Sequence, residues 1–330
     1  MIQGGRSSEH EISLASARSV IEALDPERYD VRAIDIRRDG RWELTSGQGE
    51  LDQGNGSLPV PVAGKPEPLR DIDVVFPVLH GPFGEDGTVQ GLLELAGVAY
   101  VGAGVAASAV CMDKDLFKAV MRAKSIPVVP SVTLRRWDRA VADSPFGFPV
   151  VVKPARLGSS VGISIAHDRD GFERALELAF AHDEKILIEE HVSGVEVECS
   201  VLGNEQPIAS IPGEIVPLAS DWYDYSAKYD EGGMDLVIPP RIDEAAIARV
   251  QELSVASFIA SECEGMARVD FFARDDGEVL VNELNTIPGF TATSVYAKLF
   301  EASGIPYAEL LDRLVQLALE RRDRRAQLRY

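Results

Sequence analysis

The sequence predicts a multidomain protein of mixed class, α/β in its first third and α+β in the remainder. Its 330 residues exceed the usual size of a single hydrophobic core. The first hundred residues alternate strand-like and helix-like segments, which is typical of a parallel sheet. From Val195 onward β-hairpins follow, with turns at Gly203–Asn204 and Asp275–Gly277. We therefore expect two or three packed domains.

The first third is predicted to form one parallel-sheet domain over residues 1–108. Apolar residues recur at helical spacing over 14–24, and 74–79 is an almost continuous apolar run. Residues 87–96 predict a further helix. The glycine- and proline-rich stretch 48–68 predicts a surface loop.

Two further domains are predicted, a central one over residues 109–194 and a C-terminal one over 195–330. Strand-like and helix-like segments follow one another through the central domain. In the C-terminal domain, two amphipathic helices, Glu244–Ser261 and Tyr307–Arg321, accompany the hairpins. The arginine-rich end, Arg321–Arg329, is expected to be frayed and solvated.

The composition argues against several classes of partner. Apolar residues make up 45% and charged residues 26% of the chain, which is ordinary for a globular protein in water. No apolar run approaches the ~18 residues of a membrane span, and the N-terminus lacks a signal-peptide pattern. We therefore predict a cytoplasmic protein with no membrane partner. A formal charge of −20 argues against nucleic acid, and three scattered cysteines predict reduced, buried thiols.

The most informative stretch is a predicted hairpin that carries Arg268, Asp270, Glu283 and Asn285. Side chains alternate along a strand, so pairing of the two strands brings all four onto one face. Two carboxylates and an amide oxygen suit Mg²⁺, and an arginine beside them can face a phosphoryl group. Taken alone, a hairpin with a polar, wet face fits equally well. The turn-forming loop from Asn285 to Thr291 favours the metal site, since it returns small and hydroxyl-bearing residues beside the acidic pair.

A lysine and a loop of small residues predict a phosphate site. Lys153 ends an apolar strand, and the loop Gly158–Gly162 follows it. Small residues let backbone N–H groups approach an anion, although such a loop is a weak signal by itself. Because the lysine precedes the glycines, this is not a Walker loop. Lys114 is a candidate for a second phosphate lysine, although a single lysine on a helix is usually just solvated.

The segment from Ile188 to Glu196 runs from a predicted strand into a turn. Its backbone could hydrogen-bond a purine edge, with Glu196 placed for ribose hydroxyls. A charged strand exit is at least as good an interpretation of the same residues.

In this order, these segments resemble the ATP-grasp superfamily and, within it, the D-alanine–D-alanine ligase family. The resemblance covers nearly the whole chain. Its motifs are Gly4-Gly-Arg-Ser-Ser-Glu9, His80-Gly-Pro-Phe-Gly-Glu-Asp-Gly87, Met112-Asp-Lys114, Lys153-Pro-Ala-Arg-Leu-Gly-Ser159, Tyr223–Tyr229, Arg268-Val-Asp270 and Glu283-Leu-Asn285. Each motif is short, but all of them in register along one chain make a specific joint signal.

The resemblance implies a three-domain ATP-grasp fold in which an N-terminal parallel-sheet (pre-ATP-grasp) domain precedes the central and C-terminal ATP-grasp units. ATP would lie between those two units, under a lid formed by residues 220–233. The implied cofactors are ATP and two Mg²⁺ or Mn²⁺ ions. The nucleotide-binding residues that it implies are Lys114, Lys153, Glu189, Glu190, His191, Val192, Glu196 and Lys228. The metal ligands that it implies are Asp270, Glu283 and Asn285.

The resemblance also implies residues for the two amino acids. Those implied for catalysis are Glu9, Ser159, Tyr229, Arg268 and Gly289. Those implied for substrate binding are His80, Ser294 and Val295. Glu9 would orient the ammonium of the first D-alanine, with Ser159 and Tyr229 as a linked hydroxyl pair. Ser294 with Val295 would bind the carboxylate of the second D-alanine.

The implied reaction joins two D-alanines into D-alanyl-D-alanine through a D-alanyl phosphate, at the cost of ATP, for peptidoglycan precursor synthesis. The resemblance further implies a homodimer. Alternatives are D-serine or D-lactate as second substrate, another ATP-grasp carboxylate–amine ligase, or a non-catalytic nucleotide-binding relative. Tyr229 favours an amine over a hydroxyl nucleophile, because relatives that accept D-lactate carry a different residue there.

The N-terminus departs from the family pattern. Family members normally begin with an apolar strand that runs into the first Gly-Gly pair, whereas only Met1-Ile-Gln3 precede Gly4 here. We therefore expect the first strand of the N-terminal sheet to be missing. Such a strand is buried on both faces, so its loss would loosen the loop that carries Glu9.

Overall fold

The protein has a mixed α/β and α+β fold, as predicted, with parallel and antiparallel sheets. The structure is a computed structural model that describes residues 1–44, 69, 71–138, 143–158, 161–217 and 234–329. No helix in these ranges is long and apolar enough to cross a membrane. The domain bounds 1–108, 109–194 and 195–330 stay predictions.

The N-terminal unit is built on short parallel strands, which confirms the sheet type predicted for the first third. Its elements are β1 (Ile2–Gly4), α1 (His10–Ala23), β2 (Ile34–Ile36), β3 (Trp42–Leu44), β4 (Val74–Val75), α2 (Thr88–Leu95) and β5 (Ala99–Tyr100). β1 pairs in parallel with β2, and β4 pairs in parallel with β5. β3 adds to β2 in antiparallel orientation.

The expectation that the first strand is missing is wrong. Residues Ile2–Gly4 form strand β1, which is short but lies between β2 and the segment after β4. The Ile2 N–H donates to the Phe76 carbonyl at 3.0 Å, and the Val78 N–H donates to the Ile2 carbonyl at 2.9 Å. Ile2 is buried in the same apolar cluster as Ile34 and Val75. Three residues therefore suffice for a central position in the sheet.

The central unit carries an antiparallel sheet backed by one helix. Two helices lead into it, α3 (Val105–Met112) and α4 (Lys114–Ala123), and its own elements are β6 (Ser131–Arg135), β7 (Val150–Pro154), β8 (Ser164–Ala166), α5 (Arg169–His182) and β9 (Lys185–Glu190). The strand order is β6-β9-β7-β8. Phe172, Ala175 and Ala179 recur on one face of α5 and pack on the sheet residues Val152 and Ile188.

The C-terminal unit is a larger antiparallel sheet. Its elements are β10 (Val195–Gly203), β11 (Ile208–Ala209), β12 (Gly213–Pro217), β13 (Met234–Val237), α6 (Glu244–Ala260), β14 (Gly265–Ala273), β15 (Val279–Asn285), α7 (Val295–Ala302) and α8 (Tyr307–Arg325). β14 pairs with β10 on one side and with β15 on the other. The predicted hairpin of two acidic strands is therefore confirmed as β14–β15.

The central and C-terminal sheets meet at strand β15. The Val129 N–H donates to the Val281 carbonyl at 3.2 Å, and the Val281 N–H donates to the Pro127 carbonyl at 3.0 Å. Close by, the Lys153 ammonium donates to the side-chain oxygen of Asn282 at 3.1 Å. Lysines of the central unit thereby lie within reach of the acidic hairpin.

The arginine-rich end departs from expectation in its first half: residues 321–325 continue the last helix, whereas residues 326–329 lie beyond it and are exposed. Helix α8 continues to Arg325, and Arg321 is only 4% exposed. The Arg321 guanidinium donates to the backbone carbonyls of Gly102 and Tyr100 and lies over the Tyr100 ring at 4.2 Å. Arg325 forms ion pairs with Glu94 and Glu264. The last helix therefore joins the N-terminal sheet to the C-terminal one.

Candidate active site

A cavity of about 380 Å³ opens where residues from the beginning, middle and end of the chain meet. Nine residues predicted for the site line it, namely Glu9, His80, Lys114, Arg268, Glu283, Asn285, Gly289, Ser294 and Val295. A concave site with a few convergent polar groups is the usual form of a small-molecule site. The fold thus brings most of the predicted substrate and metal residues to one place.

Glu9 and His80 form the N-terminal wall of the cavity. Glu9 lies just before α1, and both side chains are buried. Gly81 adopts φ +73°, and a Cβ there would lie 2.7 Å from a carboxylate oxygen of Glu9. Only glycine therefore fits between the motif that follows His80 and the Glu9 carboxylate.

The two ring nitrogens of His80 have different surroundings. Its Nδ1 lies 3.0 Å from the Ile287 carbonyl, so this nitrogen carries the proton. Its Nε2 is buried without a hydrogen-bond partner among the described residues. Burial lowers the pKa of His80, while the nearby Glu9 carboxylate and the hydrogen bond to Ile287 oppose that shift. The ring is therefore neutral at pH 7 and can accept a hydrogen bond from a ligand.

Glu85, which sequence reasoning did not single out, lines the same wall. It accepts the Gly81 N–H at 2.6 Å. Burial raises the pKa of Glu85 well above its ordinary value, and the Glu9 charge raises it further. Hydrogen bonding to Gly81 and the Lys114 charge oppose the shift. The signal in the sequence was its place in the His80–Gly87 motif.

Glu85→Gln is expected to raise the midpoint of thermal unfolding, and more at pH 8 than at pH 5. The pKa of Glu85 in the folded protein lies above 4.5, so ionisation of this carboxyl lowers the free energy of unfolding. The loss is absent below pH 4.5 and is complete once the pH has risen through the folded-state pKa. Glutamine removes the charge and keeps an acceptor for Gly81. Scanning fluorimetry at both pH values measures the effect. Glu177→Gln, at an exposed position of α5, is the control, and equal shifts at the two pH values would contradict the prediction.

The acidic hairpin has the predicted register. Across β14 and β15, Arg268 is opposite Asn285 and Asp270 is opposite Glu283, with a β-bulge immediately after Asp270. Both guanidinium contacts of Arg268 to Asp270 measure 2.7 Å, so the pair is bidentate. The Lys114 ammonium lies 3.1 Å from Glu283. Each carboxylate is therefore already matched by one cation.

Glu198 is a further acidic residue of this face that the sequence analysis missed. It lies on β10 directly opposite Asp270 and is 3% exposed. One of its oxygens lies 3.0 Å from Nε of Arg268. The sequence did contain a signal for Glu198. It follows Glu196 by two positions, and residues two positions apart on a strand lie on the same face.

Of the two predicted phosphate lysines, Lys114 lines the cavity and Lys153 does not. Lys114 donates to the Leu157 carbonyl at 2.7 Å. The Lys153 ammonium lies 2.7 Å from one oxygen of Glu189. The other Glu189 oxygen lies 2.6 Å from Lys118, a fully buried lysine that the sequence analysis assigned no role.

Within the buried cluster of Lys118, Lys153 and Glu189, the pair of Lys118 and Glu189 is charged at pH 7. Burial lowers the pKa of Lys118 to about 8, and the Glu189 charge opposes that shift. Burial alone would raise the pKa of Glu189, but the two lysines hold it below its usual range. Opposite charges within hydrogen-bond distance favour the charged form of each other, which is why the carboxylate stays ionised away from water.

The predicted adenine segment, residues 189–192, spans the end of β9 and the start of its connection to β10, and it does not line the cavity. The Glu189 side chain points into the lysine cluster, so only the backbone of this residue is left for a base. Glu190 forms an ion pair with Arg274 at 2.6 Å, and Val192 is buried. Glu196 lies two residues before Glu198 on the same face of β10. His191 is half-buried.

Ser294 and Val295 lie at the start of helix α7, on the C-terminal wall of the cavity. The Ser294 hydroxyl oxygen accepts the Thr291 N–H at 3.0 Å, which fixes the loop that carries Gly289. The N-terminus of a helix offers unpaired N–H groups and a partial positive charge. This wall therefore suits a carboxylate.

Some of the predicted site residues lie outside the described residues. They are Ser159, Lys228 and Tyr229, together with the predicted lid over 220–233.

The residues at the hairpin fit the Mg²⁺ ions that the resemblance implies. Asp270, Glu283 and Asn285 supply only oxygen donors, and two of them are direct neighbours across the strands. Among the described residues no group of three His, Cys, Asp or Glu side chains forms a preassembled metal cluster. Magnesium bound with substrate phosphates and water needs only one or two carboxylates.

An N-terminal parallel sheet, followed by two antiparallel sheets that meet at buried lysines and an acidic hairpin, defines an ATP-grasp enzyme. Models of the D-ala D-ala ligase N-terminus and C-terminus match residues 1–103 and 120–316. The chain belongs to the D-alanine–D-alanine ligase family.

Relatives of the chain are similar over nearly their whole length. A D-alanine–D-alanine ligase of Solibacter usitatus is 47% identical, over 97% of this chain and 95% of the relative. The solved D-alanine–D-alanine ligase of Coxiella burnetii is 38% identical, with a TM-score of 0.85 over 99% and 94% of the two chains. The VanG D-Ala:D-Ser ligase of Enterococcus faecalis is 36% identical, with a TM-score of 0.81 over 96% and 98%. A Bacillus anthracis ligase complexed with ATP is 29% identical, with a TM-score of 0.78 over 98% of each chain.

Proposed function

We propose that the protein joins two D-alanines into D-alanyl-D-alanine and converts ATP to ADP and phosphate in the same reaction. The observation that carries this proposal is the shared cavity, in which Glu9 and His80 face Arg268 and the acidic hairpin. One side suits an ammonium group and the other a phosphoryl group. The dipeptide is a building block for peptidoglycan precursors in this family.

The first step transfers the γ-phosphoryl group of ATP to the carboxylate of the first D-alanine. A P–O bond to ADP breaks and a P–O bond to the carboxylate forms, which gives an acyl phosphate. Lys114 and Lys153 are the cations for the phosphates, and Arg268 faces the transferring group. Mg²⁺, held by Asp270, Glu283 and Asn285, would neutralise phosphate charge.

Glu9 and His80 orient the first D-alanine in this proposal. The Glu9 carboxylate accepts hydrogen bonds from the substrate ammonium, and the buried, unprotonated Nε2 of His80 accepts one more. Their support is that both groups are buried at the cavity wall. Charge-assisted hydrogen bonds of this kind are roughly twice as strong as neutral ones.

The second step is attack by the amine of the second D-alanine on the acyl carbon. Phosphate leaves, the amine loses a proton, and a peptide bond forms. Arg268 and the backbone at Gly289 stabilise the oxyanion, while Ser294 and Val295 bind the carboxylate of the incoming amino acid at the start of α7. The roles of Ser159, Lys228 and Tyr229 rest on the family resemblance alone. A cytoplasmic homodimer with two metal ions is proposed on the same basis.

The experiment that tests this function is phosphate release with ATP and Mg²⁺, with the product identified by mass. D-alanine alone should support turnover and give the dipeptide mass, while L-alanine should not. A protein that binds ATP but releases no phosphate with D-alanine would be a non-catalytic relative instead.

D-serine is the second candidate for the second substrate. The similarity to the VanG D-Ala:D-Ser ligase favours including it. D-alanine mixed with D-serine should still give mainly D-alanyl-D-alanine, and D-alanine mixed with D-lactate should give no ester. A dominant mixed product would shift the assignment to that substrate.

Glu9→Gln is expected to raise the KM for D-alanine by about 10- to 100-fold, because one charge-assisted contact contributes about 1.5–3 kcal/mol. The KM for ATP should change little. Phosphate release at varied D-alanine measures the effect. Glu11→Gln, two residues further on at an exposed position of α1, is the matched control. Equal KM values for the Glu9 variant and the unmodified protein would contradict the role of Glu9.

A further inference from the structure

Three neighbouring strands place one carboxylate each in a single row. Glu198 on β10 is opposite Asp270 on β14, and Asp270 is opposite Glu283 on β15. Directly opposite residues on antiparallel strands have their side chains on the same face. The row therefore continues the proposed metal site by one residue, away from the cavity and toward β10.

The Arg268 guanidinium lies between two members of this row. It forms the bidentate pair with Asp270 at 2.7 Å, and its Nε is also 3.0 Å from Glu198. In this arrangement each oxygen of Asp270 accepts one hydrogen bond from the guanidinium and keeps a second lone pair. A Mg²⁺ ion on either oxygen would repel the guanidinium, so metal binding weakens the pair between Arg268 and Asp270.

We propose that Glu198 is a positioning residue that retains Arg268 at the site when Asp270 binds the metal ion. This inference rests on the proposed function of Asp270 and Arg268. Glu198 offers the guanidinium a second carboxylate at hydrogen-bond distance, so Arg268 can leave one Asp270 oxygen without swinging into solvent. The arginine then still faces the phosphoryl group.

The burial of Glu198 fits this role. A carboxylate that is 3% exposed is costly unless a cation pairs with it. Arg268 is that cation, and β10 and β14 are paired continuously from Val195 to Gly203, so the spacing of the two side chains is fixed. A buried acid on a rigid strand holds a guanidinium in place better than an exposed one could.

The first test measures Mg²⁺ without turnover. In Glu198→Gln, Arg268 should stay on Asp270 and compete with the metal, so half-maximal ADP binding in calorimetry should need about tenfold more Mg²⁺. In the double variant Glu198→Gln with Arg268→Ala, no guanidinium competes, and the Mg²⁺ requirement should return toward that of the unmodified protein. An unchanged Mg²⁺ requirement in Glu198→Gln would overturn the proposal.

The second test is a double-mutant cycle on kcat. Glu198→Gln should lower kcat by about tenfold with little change in the KM for D-alanine. Added to Arg268→Ala it should cause no further loss, since Glu198 acts only through Arg268. A further tenfold loss in that background would overturn the proposal, because Glu198 would then act independently.

Two variants keep the result interpretable. Glu198→Asp retains the charge and should recover part of the kcat, and it covers the case in which Glu198→Gln fails to fold. Glu214→Gln is the matched control, since Glu214 is also a buried acid of the same sheet in a bidentate pair, with Arg241. It should leave kcat and the Mg²⁺ requirement unchanged. The Mg²⁺ titration tests the role of Glu198 and does not test the proposed function. The proposed function fails only if phosphate release does not depend on D-alanine.

Discussion

Arg268→Ala should lower kcat by a factor of about 10²–10³, the usual loss when one stabiliser of transition-state charge is removed. Arg268 is the cation at the junction of the cavity and the acidic hairpin, and it is proposed to face both the transferring phosphoryl group and the later oxyanion. Its loss also leaves Asp270 and Glu198 without the charge between them. Phosphate release at saturating ATP and D-alanine measures kcat.

Arg268→Lys separates charge from geometry. Lysine keeps the positive charge but cannot form the bidentate pair with Asp270, so kcat should lie between those of the alanine variant and the unmodified protein. Arg241→Ala is the control, because Arg241 makes a bidentate pair with Glu214 on the same sheet but does not line the cavity. If Arg268→Ala retains more than a third of the kcat, Arg268 has no role in the chemistry.

The sheets were predictable because their signals are local. Alternation along 268–273 and 279–285, with a turn between them, predicts a hairpin, and the hairpin then fixes which side chains are opposite each other.

The expectation of a missing first strand was mistaken because the segment before Gly4 is so short. A run of three residues carries little periodicity, yet β1 is held by hydrogen bonds to partners about 30 and 75 residues away, at Ile34–Ile36 and Phe76–Val78.

The far end of the chain shows the same limit. An arginine-rich helix end is normally solvated, and nothing within Arg321–Arg329 indicates otherwise. Arg321 is buried because Tyr100 and Gly102, more than 200 residues earlier, present two backbone carbonyls and an aromatic ring. Contacts with residues far away in the sequence decide whether such a side chain is buried, and a short stretch of sequence does not reveal them.

Within the site, the residue types predicted which ligands could bind better than they predicted which residues contact each other. Oxygen donors on the hairpin and a lysine at a strand end indicated metal and phosphate before any geometry. The family resemblance, rather than spacing, linked Glu9 and His80 to the hairpin. Glu198 and Lys118 were missed because the charged partner of each lies on a distant element of the chain. Glu198 pairs with Arg268 of β14, and Lys118 of helix α4 pairs with Glu189 of β9.

The prediction with the largest effect on stability concerns Glu189, the acid of the buried lysine cluster. Glu189→Gln should lower the free energy of unfolding by about 3–5 kcal/mol, the usual cost of breaking a buried ion pair from one side. The substitution leaves Lys118 and Lys153 as two buried cations without their carboxylate, 2.6 and 2.7 Å from its former oxygens. Urea unfolding followed by circular dichroism measures the change.

Glu190→Gln is a matched control from the next position on the same strand. Glu190 is partly exposed and pairs with Arg274, so its loss should cost less than about 1 kcal/mol. Adding Lys118→Met to Glu189→Gln should recover much of the lost stability, since it replaces one unpaired buried charge with an apolar side chain of similar length. Lys153 would remain for the phosphates. If Glu189→Gln and Glu190→Gln unfold at the same urea concentration, the ion pairs of Glu189 do not stabilise the fold.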